Sequence, residues 1–120
     1  MTTTIVTINQ TDVDHLAHVT EQMRALGSPT IRAIRDEAQG VIVALEGSHR
    51  LAAAKALGLT PRFVMLTDDD MISCEDIGYD DSGWFEGEPA RAGAIRERLA
   101  QPMGMYSGCP IIDFTDVEIA

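Results

Sequence analysis

Apolar and polar positions along this chain fall into short segments whose period changes several times. Thr4-Ile5-Val6-Thr7-Ile8 alternates and is β-prone, which predicts a first strand. Thr11 is placed to cap a helix running to about Leu26, with Asp12 and Asp14 in its first turn, where acidic groups complement the helix dipole. In it Leu16, Val19 or Thr20, Met23 and Leu26 recur at helical spacing and are expected to face a core. Gly27-Ser28-Pro29 stops the helix. Thr30-Ile31-Arg32-Ala33-Ile34-Arg35 alternates as a second strand, Asp36 to Gly40 turns, and Val41-Ile42-Val43-Ala44-Leu45 is a buried third strand. If these two form a hairpin, Arg32 and Arg35 cannot both face one side, because side chains alternate along a strand.

Leu51 to Leu57 is alanine-rich and helix-prone, with Gly58 as its carboxyl-terminal cap, and Arg62 to Leu66 reads as a fourth strand after Leu59-Thr60-Pro61. Thr67 with Asp70 resembles a capping box, Asp replacing the usual Glu or Gln, ahead of a short helix through about Ile77. The run Asp68-Asp69-Asp70 is alternatively a Mg²⁺ ligand set; the cap is the simpler reading. Residues 78–89 form a Gly- and Asp-rich loop whose Tyr79, Trp84 and Phe85 anchor it to the core or serve as a lid or partner surface. Ala90 to Ala100 is a final helix, with Pro89 beside its start and Ile95 and Leu99 as a core pair. The remainder, 101–120, is an edge strand or a docking tail. The chain thus reads as one α/β (α+β) domain over 1–120, with a core at about 4–77 and a carboxyl-terminal helix and tail at 90–120.

Between the third strand and the alanine-rich helix lies Glu46-Gly47-Ser48-His49-Arg50. Gly47 permits a tight turn, and Ser48 is a good N-cap. The first amides of a helix lack partners inside it, and the dipole adds partial positive charge there. With Arg50 and His49 beside them, the turn suits an anion, above all a phosphate. The plainer alternative is an ordinary strand-to-helix connection with a solvated arginine. On the preceding helix His15, His18 and Gln22 share one face. Two histidines three residues apart could bind a metal, but no third ligand is near in sequence, so solvated surface is the favoured reading.

Charge narrows the partners. Nine Lys and Arg stand against nineteen Asp and Glu, a formal net charge of −10, which opposes general attraction to nucleic acid. The acidic residues concentrate after position 67, whereas Arg32, Arg35, Arg50, Lys55 and Arg62 lie centrally, which leaves room for a local basic pocket on an acidic protein. No apolar run reaches the length of a membrane span, and no signal peptide is visible after Met1. Cys74 and Cys109 lack metal-ligand spacing; free thiols and a cytoplasmic location are expected.

Val41 to Gly58, with its Gly47-Ser48-His49-Arg50 turn and an Ala-rich helix ending in Leu57-Gly58, resembles the ParB/sulfiredoxin superfamily. The upstream Leu26-Gly27-Ser28-Pro29-Thr30-Ile31 is similar to that family's lead-in, and the resemblance covers about residues 5–77. It implies a compact fold with a small mixed sheet flanked by helices, whose Gly-x-His-Arg turn grips nucleotide phosphates. It carries phosphate binding to Gly47, Ser48, His49 and Arg50 and, in the sulfiredoxin branch, nucleotide contacts to the helix face near His15, His18 and Gln22.

Two departures limit the resemblance. Ser48 stands where sulfiredoxins have a reactive cysteine, and a hydroxyl cannot replace that thiolate, so sulfinic-acid repair is not expected. The chain is also too short and acidic for a partition protein's second, basic domain, and has His49 where the CTP-binding branch usually has Arg. The expected function is therefore binding of ATP or CTP with Mg²⁺ at the turn, with phosphate transfer or hydrolysis in which Glu46 and His49 are the catalytic candidates, Glu46 as general base or metal holder. The alternatives are a ParB-like DNA-binding protein or nuclease, and a non-enzymatic acidic regulator that meets a basic protein through residues 68–88.

Overall fold

A computed structural model describes residues 2–8, 11–72, 89–100, 106 and 109–120. At their centre is a hairpin of β2 (Thr30–Asp36) and β3 (Val41–Ala44), with Ala33 opposite Ala44 and Asp36 opposite Val41. The Asp36 carboxylate accepts the Gln39 N–H at 3.2 Å in the turn, and Gly40 takes a left-handed φ of 69°. Ile31 and Ala33 enter one core cluster and Ile34 the other, so the hairpin sends Arg32 and Arg35 to opposite faces.

Around the hairpin, β1 (Thr3–Val6) lies parallel to β3, and β4 (Arg62–Met65) parallel to β2. The outer strands are β7 (Ile111–Phe114), antiparallel to β1, and β8 (Glu118–Ile119), parallel to β4. The six-stranded order is β7-β1-β3-β2-β4-β8, and β5 (Met71–Ile72) pairs separately with β6 (Ala90–Arg91). With helices α1 (Val13–Leu26), α2 (Ser48–Leu57) and α3 (Ala92–Leu99), this is a mixed α/β (α+β) fold.

The two outer strands end and begin only four residues apart, at Phe114 and Glu118. That link spans at most about 14 Å. Six strands laid flat would hold those edges about 24 Å apart. The sheet therefore curls, and it curls around α2. Thr115 and Asp116 face Lys55 and Gly58, at the carboxyl end of α2, across a cleft of about 180 Å³. Lys55 donates to the Asp113 carbonyl and sits 5.6 Å from the Phe114 ring centre. Small side chains at Ala53 and Ala54, both fully buried, let α2 lie close to the strands. Val19 and Met23 of α1 join the same cluster with Ile5, Ile31, Ile42 and Phe63. The other face, Val6, Ile34, Val43 and Leu45, is covered by Ile72, Ile95, Leu99 and Tyr106. The carboxyl end of α2 is thus clamped by the carboxyl-terminal strands, whereas its amino end follows β3 and meets β2 through the Arg50–Thr30 bond.

Several elements differ from expectation. The N-cap of α1 is Asp12, not Thr11: its carboxylate accepts the His15 N–H at 3.0 Å. Leu26, expected in the core, is 80% exposed, because the helix ends there at Gly27 and its buried stripe stops at Met23. Asp70 does close onto Thr67, accepting its N–H at 2.7 Å, but Met71–Ile72 continues as a strand instead of a helix. Residues 73–77 of that expected helix lie outside the described residues, as do Tyr79, Trp84, Phe85 and all of the expected loop but Pro89. The last helix begins at Ala92, since Ala90–Arg91 pairs with β5; Ile95 and Leu99 are buried as a pair. The tail supplies edge strands at both ends of the sheet. No helix among the described residues is long and apolar enough to cross a membrane.

Candidate functional site

The chain leaves β3 through Leu45 and Glu46 and turns into α2 at Gly47. Gly47 occupies the N-cap position with φ 76° and ψ 30°, a left-handed conformation costly for any residue with a Cβ. A Cβ there would also lie 2.4 Å from Ile31 Cδ1 and 3.3 Å from Arg50 Nη2. Both conformation and space therefore demand glycine. Ser48 is not the cap: it is the first helical residue and is buried, and no side chain caps α2 from the Gly47 position.

Arg50 folds back over this turn. Its Nη2 donates to Glu46 Oε1 at 3.0 Å and its Nη1 to the Thr30 carbonyl at 3.3 Å. The other Glu46 oxygen accepts from Arg32 twice, from the backbone N–H at 3.1 Å and from Nε at 2.6 Å. The Glu46 side chain is 15% exposed, against 36% for Arg32 and 40% for Arg50. One carboxylate thus lies beneath two partly exposed guanidinium groups. Burial works against its charge, but the hydrogen bonds from Arg32 and the charges of Arg32 and Arg50 outweigh burial and hold the carboxyl below its usual range.

His49 joins the amino ends of α1 and α2. Its Nε2 accepts the Asp12 N–H at 2.9 Å, and its ring meets that of His15 edge-on with centres 4.3 Å apart. Burial, then the nearby charge of His15, lowers the His49 pKa, partly offset by Asp12. A neutral imidazole fits this role, because Nε2 needs its lone pair to accept.

The structure therefore brings together Glu46, Gly47, Ser48, His49 and Arg50 with Arg32, Asp12 and His15. His18 and Gln22 are exposed further along α1, about 4.5 and 10.5 Å beyond His15 along the axis. The sequence named Arg32 only within a central basic set and Asp12 only as a helix-dipole partner, and placed neither at this turn. The hairpin register contains a signal for Arg32: pairing Ala33 with Ala44 puts position 32 across from Leu45, beside Glu46.

The three consecutive aspartates turn to different partners. Asp68 is gripped by Arg96 at 2.8 and 2.9 Å, Asp69 lies 3.6 Å from Arg91, and Asp70 caps Thr67. Among the described residues no three His, Cys, Asp or Glu side chains converge as a metal site. Cys109 is half-buried, and burial pushes its thiol up, away from the reactive thiolate. A second concavity of about 510 Å³ lies between the hairpin turn and α3, lined by Asp36, Glu37, Asp68 and Arg96 among others.

No protein-family model matches this chain, and neither does a curated protein or a solved structure.

Proposed function

We propose that this protein binds the phosphates of a nucleotide, ATP or CTP, at the Gly47-Ser48-His49-Arg50 turn. The observation that carries the reading is the Arg50 guanidinium, partly exposed and folded over the left-handed Gly47 at the amino end of a ten-residue helix. Such an end offers main-chain N–H groups and partial positive charge, and a guanidinium adds directed donors. The amino end of α1 lies beside it, joined through the His49–Asp12 bond. The resemblance of the Val41–Gly58 segment to the ParB/sulfiredoxin superfamily supports the same ligand.

The chemistry such a turn suits is phosphoryl transfer or hydrolysis, in which positioning and charge neutralisation supply most of the catalysis. His49, neutral and fixed by Asp12, orients the turn. Glu46 is a poor general base, since both its oxygens are already held and its affinity for a proton is lowered. Asp12 and Glu46 each already accept hydrogen bonds from the protein, so a Mg²⁺ ion arriving with the nucleotide would rest mainly on its phosphates and on water. DNA is a weaker reading: Arg32, Arg50, Arg62, Arg91 and Arg96 are all paired with carboxylates on a chain of net charge −10.

A thermal-shift panel of ATP, ADP, CTP and GTP, each with and without Mg²⁺, tests the proposal. A nucleotide at a hundred times its Kd stabilises the fold by about 2.7 kcal/mol, on the order of 10 °C for a chain of this length. We expect that shift with at least one triphosphate, and its loss in Arg50→Ala. No shift with any nucleotide, or an undiminished one in Arg50→Ala, overturns the reading.

A further inference from the structure

Glu46 occupies the place an incoming anion would take. Its oxygens lie between the guanidinium groups of Arg32 and Arg50, at 2.6 and 3.0 Å, and its side chain is more buried than either partner. From this geometry we propose that Glu46 is a built-in anionic competitor that makes the turn selective for polyphosphates and excludes inorganic phosphate and other small anions. The inference rests on the phosphate-binding reading above and names its ligand class.

The physical case has two parts. The triad of Arg32, Glu46 and Arg50 carries a net charge of +1, so a small anion gains little Coulomb attraction from it. A carboxylate tethered beside its partners also acts as a ligand at an effective concentration of about millimolar or more. A single phosphate must displace that carboxylate for one or two hydrogen bonds. A triphosphate has several charged groups. It can engage the exposed side of Arg50 and the main-chain amides of α2 while Glu46 retains Arg32. Charge number and reach, not the nucleobase, then decide what binds.

Glu46→Gln tests this directly. Gln is isosteric and keeps an oxygen for the Arg32 N–H, but it carries no charge. The probes are inorganic phosphate and inorganic triphosphate, measured by calorimetry on the wild type, Glu46→Gln and Glu46→Gln/Arg50→Ala. We expect the wild type to bind triphosphate and not phosphate. Glu46→Gln should bind triphosphate about tenfold more tightly or better and gain phosphate binding. The double variant should lose both.

Unchanged or weaker triphosphate binding in Glu46→Gln overturns the inference, and the nucleotide reading survives if the wild type still binds triphosphate through Arg50. Binding of both probes to Glu46→Gln but of neither to the wild type overturns both, because Glu46 would then block the turn outright instead of selecting polyphosphates. Binding to none of the three proteins overturns both. Should circular dichroism show Glu46→Gln unfolded, Glu46→Asp takes its place. One methylene shorter, it draws back from Arg50 and should strengthen triphosphate binding in the same direction; no gain overturns the inference.

Discussion

The Nε2 atom of His49 accepts the main-chain N–H of Asp12 at 2.9 Å, so a side chain from the first turn of α2 holds the residue that caps α1. This bond joins the two helix amino ends and requires an unprotonated imidazole. A proton on Nε2 would set N–H against N–H.

Stability should therefore depend on pH through His49. Its folded pKa lies below the ordinary value of 6.5, through burial and then His15, so the unfolded chain binds the proton more readily. The contribution is fully present above about pH 6.5 and is lost as pH falls through the folded value. Urea unfolding of the wild type and His49→Gln between pH 5 and 8 checks it. The wild type should lose stability on acidification, and the variant, which has no titrating group at that position, should lose less. Parallel profiles would show that the bond to Asp12 makes no difference.

Gly47→Ala should destabilise the fold by about 2–4 kcal/mol, combining left-handed strain with overpacking. The added methyl meets Ile31 Cδ1 at 2.4 Å. Ile31→Val removes that atom at a cost of about 1 kcal/mol, so the double variant should be more stable than the sum of the single effects. Additive losses from denaturant midpoints would mean that strain alone makes Gly47 necessary.

Much of the fold was legible where its cause is local. The β2–β3 hairpin follows from alternation and a Gly40 turn, Gly58 ends α2 in a left-handed conformation, and the Ile95–Leu99 pair follows from helical spacing. Expectations failed where distant chain decides. Met71–Ile72 is extended because it pairs with Ala90–Arg91, and the tail forms strands because Thr3–Val6 and Arg62–Phe63 offer edges. Thr11 and Asp12 are both good caps, and Asp12 is the one whose N–H meets His49. The same division holds at the turn. Gly47 to Arg50 could be read from a few consecutive residues, whereas the link from Glu46 to Arg32 needs the hairpin register and that from His49 to Asp12 needs the packing of α1 on α2.

Phe114 tests the clamp on the far end of α2. It is 4% exposed, packs in the α1–α2 cluster and carries Lys55 over its ring. Phe114→Ala should cost about 3–5 kcal/mol, whereas Leu26→Ala, at a site 80% exposed, should change stability by no more than about 0.5 kcal/mol. Equal losses in thermal unfolding would mean that the last strands contribute little to the core.

Tyr106 joins the tail to the hairpin on the opposite face of the sheet. Its hydroxyl donates to the Asp36 carboxylate at 2.6 Å, and the residue is 5% exposed despite a left-handed φ of 50°. Burial, then the bond to Asp36 and its charge, raises the phenol pKa well above its ordinary value of 10.0. A raised acid pKa means stability fully present below about pH 10 and lost as pH rises beyond it, because only the unfolded chain ionises readily there. Tyr106→Phe keeps the ring and removes the donor, which should cost about 1–3 kcal/mol near neutrality and abolish that alkaline loss. Absorbance at the tyrosinate band during an alkaline titration reads the same bond. With Tyr79 replaced by Phe, the remaining tyrosine should ionise only as the protein unfolds; ionisation of the folded protein near pH 10 would show that Asp36 does not hold the hydroxyl.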